Sequence, residues 1–311
     1  MNRWKWLASI LLSFTIAFFI VAVFVHSPEP KNTNNDSGSI TSQKEDSNKK
    51  DRAEEKDSGT TEPDEVPAGE QEGTLSEGLR EVFTSVIESA RDMFIREDLD
   101  IVAIGDSLTQ GVGDSTDNEG YIGILENTFN SNEQRERIDI ENYGKRGNRT
   151  DQLLERMQTE DLSNSLREAD LVLITIGAND VMEVVKNNFT SLNYKDFVSA
   201  QKDYESQLNE IIQRVEQLNP DVSIYLVGLY NPFDHYFNNI PELGQIISDY
   251  NRISKSVIDE YDQATFIPVR DIFTGAETEL LWEEDHFHPN ERGYKKMAER
   301  VLEYIRSDIE E

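Results

Sequence analysis

The sequence predicts an α/β domain built on one doubly wound, flavodoxin-like sheet of about five parallel strands with helices on both faces. Two observations carry this. From Asp100 onward, short apolar runs alternate with longer segments of helical period, which implies crossover connections and parallel strands. Two of the runs, Leu171 to Ile176 and Val222 to Leu229, are almost continuously apolar, as strands covered on both faces are.

The elements follow in order. Thr74-Leu75-Ser76-Glu77 has the form of a capping box. Leu79, Val82, Phe83, Val86, Ile87, Ala90, Met93 and Phe94 continue at helical spacing and predict a leading helix over 75–96. Asp100 to Ile104 reads as the first strand and the alternating stretch Ile138 to Tyr143 as the second. Leu171 to Ile176, Val222 to Leu229 and Thr265 to Val269 supply the third, fourth and fifth. The clearest intervening helix carries Tyr204, Leu208, Ile211, Ile212, Val215 and Leu218, and Asn219-Pro220 ends it. The last helix opens with Pro289 and buries Tyr294, Met297, Ala298, Val301, Leu302 and Ile305.

Two segments precede this domain, which is expected to span 74–311. Arg3 and Lys5 stand before an apolar run from Trp6 to Val25. Roughly 20 such residues in a helix cross a hydrocarbon core of about 30 Å. Cationic residues ahead of the run orient the N-terminus to the cytoplasm and the remainder outside. Residues 1–26 are therefore expected to form a single-pass transmembrane anchor, with the rest of the chain extracellular. A cleaved signal peptide, which would make the protein secreted, is the alternative; the end of the run, Ala22-Val23-Phe24-Val25-His26, lacks the small-x-small pattern of a cleavage site. Residues 27–73 are dominated by Ser, Asn, Lys, Asp, Glu and Pro without hydrophobic period, and are expected to be a disordered tether. A flexible chain of that length reaches roughly 35–40 Å.

The totals exclude several classes. Across 311 residues the formal net charge is −31, which repels phosphate backbones and argues against nucleic acid as a partner. The chain has no cysteine, which excludes disulfides, thiolate metal sites and a cysteine nucleophile.

Ligands of such a sheet bind outside the carboxyl ends of its strands, and four groups of residues fall there. Gly105-Asp106-Ser107-Leu108-Thr109 follows the first strand and puts a serine on a strand-to-helix turn. It is not the Gly-x-Ser-x-Gly elbow, because Thr109 stands where the second glycine would be. Gly144-Lys145-Arg146-Gly147-Asn148-Arg149-Thr150 follows the second strand, with glycines that permit close backbone approach to a ligand. Gly177-Ala178-Asn179-Asp180 follows the third, where the Asn179 amide can face a developing oxyanion. The fourth group is Asp285-His286-Phe287-His288-Pro289. A catalytic histidine needs a carboxylate on Nδ1. An aspartate three residues back on a turn can supply it, whereas neighbours project apart, so His288 is preferred to His286 and His235 as the base. Each group alone is also consistent with a helix cap, a turn glycine or a surface pair, and for the glycines and the Asp/His pair that plain reading is the better one in isolation; all four in order at strand ends are not expected by chance.

With these blocks the chain resembles the GDSL-type esterase/lipase family, the SGNH hydrolases. Gly105-Asp106-Ser107-Leu108 matches the first block, Gly147 with the following Thr150 fits the second better than Gly144, Asn179 matches the third, and Asp285 with His288 matches the last. The resemblance covers about residues 100–305, and the whole arrangement looks like membrane-tethered, lysophospholipase-like members. It implies a Ser107 nucleophile, His288 as base oriented by Asp285, and an oxyanion hole from the Ser107 and Gly147 N–H groups and the Asn179 amide. No metal or organic cofactor is implied.

The expected substrate is a carboxylic ester, of a lipid or an O-acylated glycan. Two aromatic-rich stretches read either as pocket walls or as loops whose aromatics anchor them to the core: 187–197, with Phe189 and Tyr194, and 231–240, with Phe233, His235 and Tyr236. Two other readings stay open: a cell-surface binding protein that keeps the fold without turnover, and an acyltransferase using the same acyl-enzyme.

Overall fold

A computed structural model describes residues 95–310 apart from 97, 117–118, 132–136, 189–190, 192 and 235–239. The apolar run, the polar tether and the leading helix up to residue 94 lie outside the described residues. Ile95 forms an antiparallel bridge with Glu310, so the helix predicted over 75–96 does not include its last two positions. Among the described residues no helix is long and apolar enough to cross a membrane.

Five strands form one parallel sheet: β1 (Ile101–Gly105), β2 (Ile140–Gly144), β3 (Leu171–Thr175), β4 (Ser223–Val227) and β5 (Ala264–Ile267), in the order β2-β1-β3-β4-β5. The predicted sheet is thus observed, each strand within a few residues of its apolar run, and the order is that of the flavodoxin-like fold. Ten helices are described: α1 (Ser107–Gln110), α2 (Gly120–Phe129), α3 (Thr150–Arg156), α4 (Glu160–Glu168), α5 (Ala178–Asn187), α6 (Tyr194–Leu218), α7 (Pro241–Ile258), α8 (Arg270–Phe273), α9 (Glu277–Leu280) and α10 (Glu291–Ile309).

The period-two geometry of a strand splits the core into two layers. Ile101 and Ala103 of β1 face a cluster with Leu125 of α2 and Met297, Val301 and Ile305 of α10. Val102 and Ile104 face the opposite cluster, with Leu153 of α3, Leu166 of α4, Leu208 and Ile212 of α6 and Tyr250 of α7. Handedness explains the split. The β1-to-β2 connection runs one way across the sheet and all later connections run the other, so right-handed crossovers place α2 on the opposite face from α3 to α7.

Two boundaries differ from expectation. α6 begins at Tyr194, ten residues before the first apolar position read from its period, because Asn193 and Asp196 close a capping box ahead of it. Residues 194–197 are therefore helix, not loop wall. α10 begins at Glu291; Pro289 bridges to Leu281, and the Asn290 side chain caps the helix by accepting from the N–H groups of Arg292 and Gly293.

Candidate active site

Strand register brings the first three blocks together. Gly105 pairs with both Gly144 and Thr175, so β1, β2 and β3 end at one level, at the point where the chain direction reverses across the sheet. The nucleophile turn is held from beneath. Gly105 has φ +142°, and a Cβ there would stand 2.0 Å from the Thr175 carbonyl oxygen, so only glycine lets β1 close on β3 here. Asp106 then caps α1, its Oδ1 accepting from the Leu108 N–H at 3.0 Å and the Thr175 hydroxyl at 2.8 Å. Complete burial pushes the Asp106 carboxyl up to about 7, against the lowering effect of these bonds.

Ser107 is buried, and its hydroxyl lies 2.8 Å from His288 Nε2. His288 is fully buried, and its Nδ1 lies 2.6 Å from Asp285 Oδ2. The other oxygen, Oδ1, accepts the N–H groups of Phe287 at 2.9 Å and His288 at 3.0 Å, which curls the loop and aims the ring. Burial raises the Asp285 carboxyl, but the His288 hydrogen bond and charge together with the two N–H groups outweigh it and hold it below the ordinary value. His286 is exposed, with φ +51°, on the outside of that turn. Of the three candidate histidines, His288 is the one in contact with Ser107 and Asp285, and His235 lies outside the described residues.

The Ser107 N–H is at the start of α1, and among the described residues no acceptor takes it; the same holds for the Gly147 N–H. Gly147 has φ +79° with open space where a side chain would be. The Gly144 N–H, by contrast, donates to Asn142 Oδ1 at 2.9 Å, which removes it as a donor to a ligand. Asn179 is buried at the start of α5, and its Nδ2 donates to the Asn148 carbonyl at 2.9 Å, leaving the second amide proton. Beside it, Asp180 accepts the Thr150 N–H and hydroxyl; burial lifts its carboxyl to about 6, opposed mainly by these bonds.

A cleft of about 420 Å³, counted out to its open mouth, adjoins Ser107. Its walls are Ala178, Val181 and Met182 of α5, Ile247 of α7, and Phe287 next to the base. The segment after β4 completes it with Leu229, Tyr230, Pro232 and Phe233. Phe233, expected in a pocket wall, is in this lining. Tyr194 is not; it opens α6 and its hydroxyl bonds to Asp249 of α7. Phe189, His235 and Tyr236 lie outside the described residues. Tyr230 is a supporting residue that sequence reasoning missed: its buried hydroxyl donates to the Phe287 carbonyl at 2.5 Å and its ring stacks on Phe273. Its only sequence signal was its place just beyond an apolar strand.

Comparison with known proteins gives the family. Residues 103–296 match the GDSL-like Lipase/Acylhydrolase family. The chain is 34% identical over 222 residues to the uncharacterised protein YpmR of Bacillus subtilis, covering 71% of this chain and 87% of that one. It is 27% identical over 207 residues to the spore germination lipase LipC of Bacillus licheniformis, covering 65% of this chain and 94% of the relative. In fold it is similar to the lipase Lip_vut3 from a goat rumen metagenome, with a TM-score of 0.59 at 24% identity over 66% of this chain and 96% of that one. The chain belongs to the GDSL-like lipase/acylhydrolase family and is a carboxylic ester hydrolase of the GDSL type.

Proposed function

We propose that the protein is a serine esterase that cleaves acyl esters, of lipids or O-acylated glycans, at the outer face of the cell membrane. The observation that carries the chemistry is the unbroken chain from Ser107 Oγ through His288 to Asp285, at 2.8 and 2.6 Å, opening on an apolar cleft. His288 Nε2 takes the Ser107 proton as the oxygen attacks the ester carbonyl. Asp285 accepts a hydrogen bond from Nδ1–H throughout and stabilises the imidazolium. The Ser107 and Gly147 N–H groups and the free proton of the Asn179 amide receive the oxyanion. His288 then protonates the leaving alcohol, and water repeats the cycle on the acyl-enzyme. The cleft's apolar lining favours an acyl group longer than acetyl.

The external location rests on the sequence alone: the cationic start, the apolar run from Trp6 to Val25 as anchor, and 27–73 as tether. One experiment tests the chemistry: full-length protein in detergent, assayed on p-nitrophenyl esters of increasing chain length, with Ser107→Ala as control. The expected optimum lies beyond acetate, and Ser107→Ala loses about a million-fold in rate, as triad knockouts do. Near-normal turnover by Ser107→Ala refutes the scheme; no turnover by the native protein favours a binding role. Fractionation of cells carrying the chain with and without residues 1–26 tests the anchor, which predicts membrane association only in the former.

A further inference from the structure

The two oxyanion donors outside the nucleophile turn sit on different elements. Gly147 belongs to the connection from β2 to α3, and Asn179 to the first turn of α5. A hole that spans two elements works only if something sets their separation, because a shift of about 1 Å in a reacting group can cost 10²-fold in rate. Among the described residues two hydrogen-bonded links join the elements, beside a half-exposed Arg149–Glu183 ion pair at 3.8 Å. One is the Asn179 amide on the Asn148 carbonyl, 2.9 Å. The other is Asp180, whose Oδ1 receives both the N–H of Thr150, at 3.3 Å, and its hydroxyl. Oδ2 lies 3.3 Å from the same N–H.

Thr150 is fully buried and is the first residue of α3. Its N–H is among the donors that a helix start leaves without an intrahelical acceptor. The residue before it, Arg149, gives α3 no side-chain cap bond of the usual kind. A carboxylate from the neighbouring helix does that work instead. It stands in the first turn of α5 and against the first turn of α3, where both helix dipoles favour negative charge. Beyond Thr150 the link reaches α6: the Thr150 hydroxyl is also 2.6 Å from Gln207 Oε1. That hydroxyl has one proton for two acceptor oxygens, Asp180 Oδ1 and Gln207 Oε1.

We infer that Asp180 is a positioning residue of the oxyanion hole: by holding Thr150 at the start of α3 it fixes the Gly147 N–H relative to the Asn179 amide. This rests on the reading of Ser107 as nucleophile with Gly147 and Asn179 as oxyanion donors. Asp180 touches neither substrate nor the reacting atoms. Its effect belongs to the transition state, since an ester carbonyl in the ground state asks less of the hole than an oxyanion does.

The test is steady-state kinetics of the full-length protein on a p-nitrophenyl ester near its chain-length optimum. Asp180→Ala is expected to lose about 10²-fold in kcat with KM changed less than about threefold. Asp180→Asn keeps an oxygen able to accept both Thr150 donors and is expected to regain at least about tenfold of that loss. In an Asn179→Ala background, where the hole has already lost one of the paired donors, Asp180→Ala is expected to cost about tenfold or less. An equal loss in both backgrounds, a rise in KM matching the fall in kcat, or a fully active Asp180→Ala overturns the inference. If Asp180→Ala fails to fold, Thr150→Val serves instead: it keeps the backbone N–H, loses the hydroxyl, and is expected to lower kcat about threefold to tenfold at constant KM. Unchanged kcat in Thr150→Val then counts as refutation. Activity in Ser107→Ala is a separate result, which removes the serine mechanism itself.

Discussion

Replacing Asp285 by asparagine changes almost no volume, yet the geometry around it makes the exchange severe. Oδ1 of Asp285 accepts two backbone N–H groups, at 2.9 and 3.0 Å, and Oδ2 faces His288 Nδ1 at 2.6 Å. An amide has one acceptor oxygen and one donor nitrogen. If the oxygen serves the two N–H groups, the NH2 points at His288 Nδ1, which must then be unprotonated. The ring proton moves to Nε2, the nitrogen 2.8 Å from Ser107 Oγ, and the base is lost. The opposite orientation saves the tautomer but leaves two N–H donors unpaired, at about 1–3 kcal/mol each. The productive arrangement is thus disfavoured by about 2–6 kcal/mol, a factor of about 30 to 3 × 10⁴ at 1.36 kcal/mol per decade. Loss of the carboxylate's stabilisation of the imidazolium adds to this, and the expected fall in kcat is about 10⁴-fold. The assay is saturating hydrolysis of a p-nitrophenyl ester at neutral pH, with KM nearly unchanged because Asp285 does not line the cleft. A variant within about tenfold of the native kcat would falsify the assignment of Asp285 as the residue that sets the tautomer.

Three further outcomes follow from the same site. Asn179→Ala should lower kcat by about 10²–10³ as one lost oxyanion donor, with a smaller effect on KM; equal hydrolysis by the variant would remove Asn179 from the hole. Gly105→Ala should destabilise by about 3 kcal/mol or more, since the new Cβ meets the Thr175 carbonyl and φ is unsuited to a side chain, and Tm should fall by about 6–12 °C; an unchanged melt refutes the packing argument. The folded-state value of Asp106, about 7 against an ordinary 3.8, means the folded protein holds a proton that the unfolded chain has released between those limits. Stability contributed by that proton is complete below the lower limit and declines as pH rises toward the upper one. Over that window the native melting temperature should fall relative to Asp106→Asn, which has no such titration. Parallel curves for the two proteins would contradict it.

The sequence by itself determined the five strands, the two-faced core and the four blocks at the strand ends, because these depend on period and spacing along a short stretch of chain. The Asp285–His288 pair was legible for the same reason: three residues on one turn are a local geometry. Other features were settled only by tertiary structure. Ser107 and His288 are 181 residues apart, and their 2.8 Å contact depends on strand order and on the register that ends β1, β2 and β3 at one level. The resemblance already favoured Gly147 over Gly144; that the Gly144 N–H has an acceptor in Asn142 Oδ1 is visible only in the folded geometry. Tyr194 could be read as pocket wall or as anchor from its aromatic character alone; the fold decides for the anchor, because a capping box at Asn193 starts α6 there and its hydroxyl is held by Asp249. Asp180 was visible as part of the third block, while its hold on Thr150 was not. Periodicity reports which way a side chain faces, but not which distant backbone group the fold will bring beneath it.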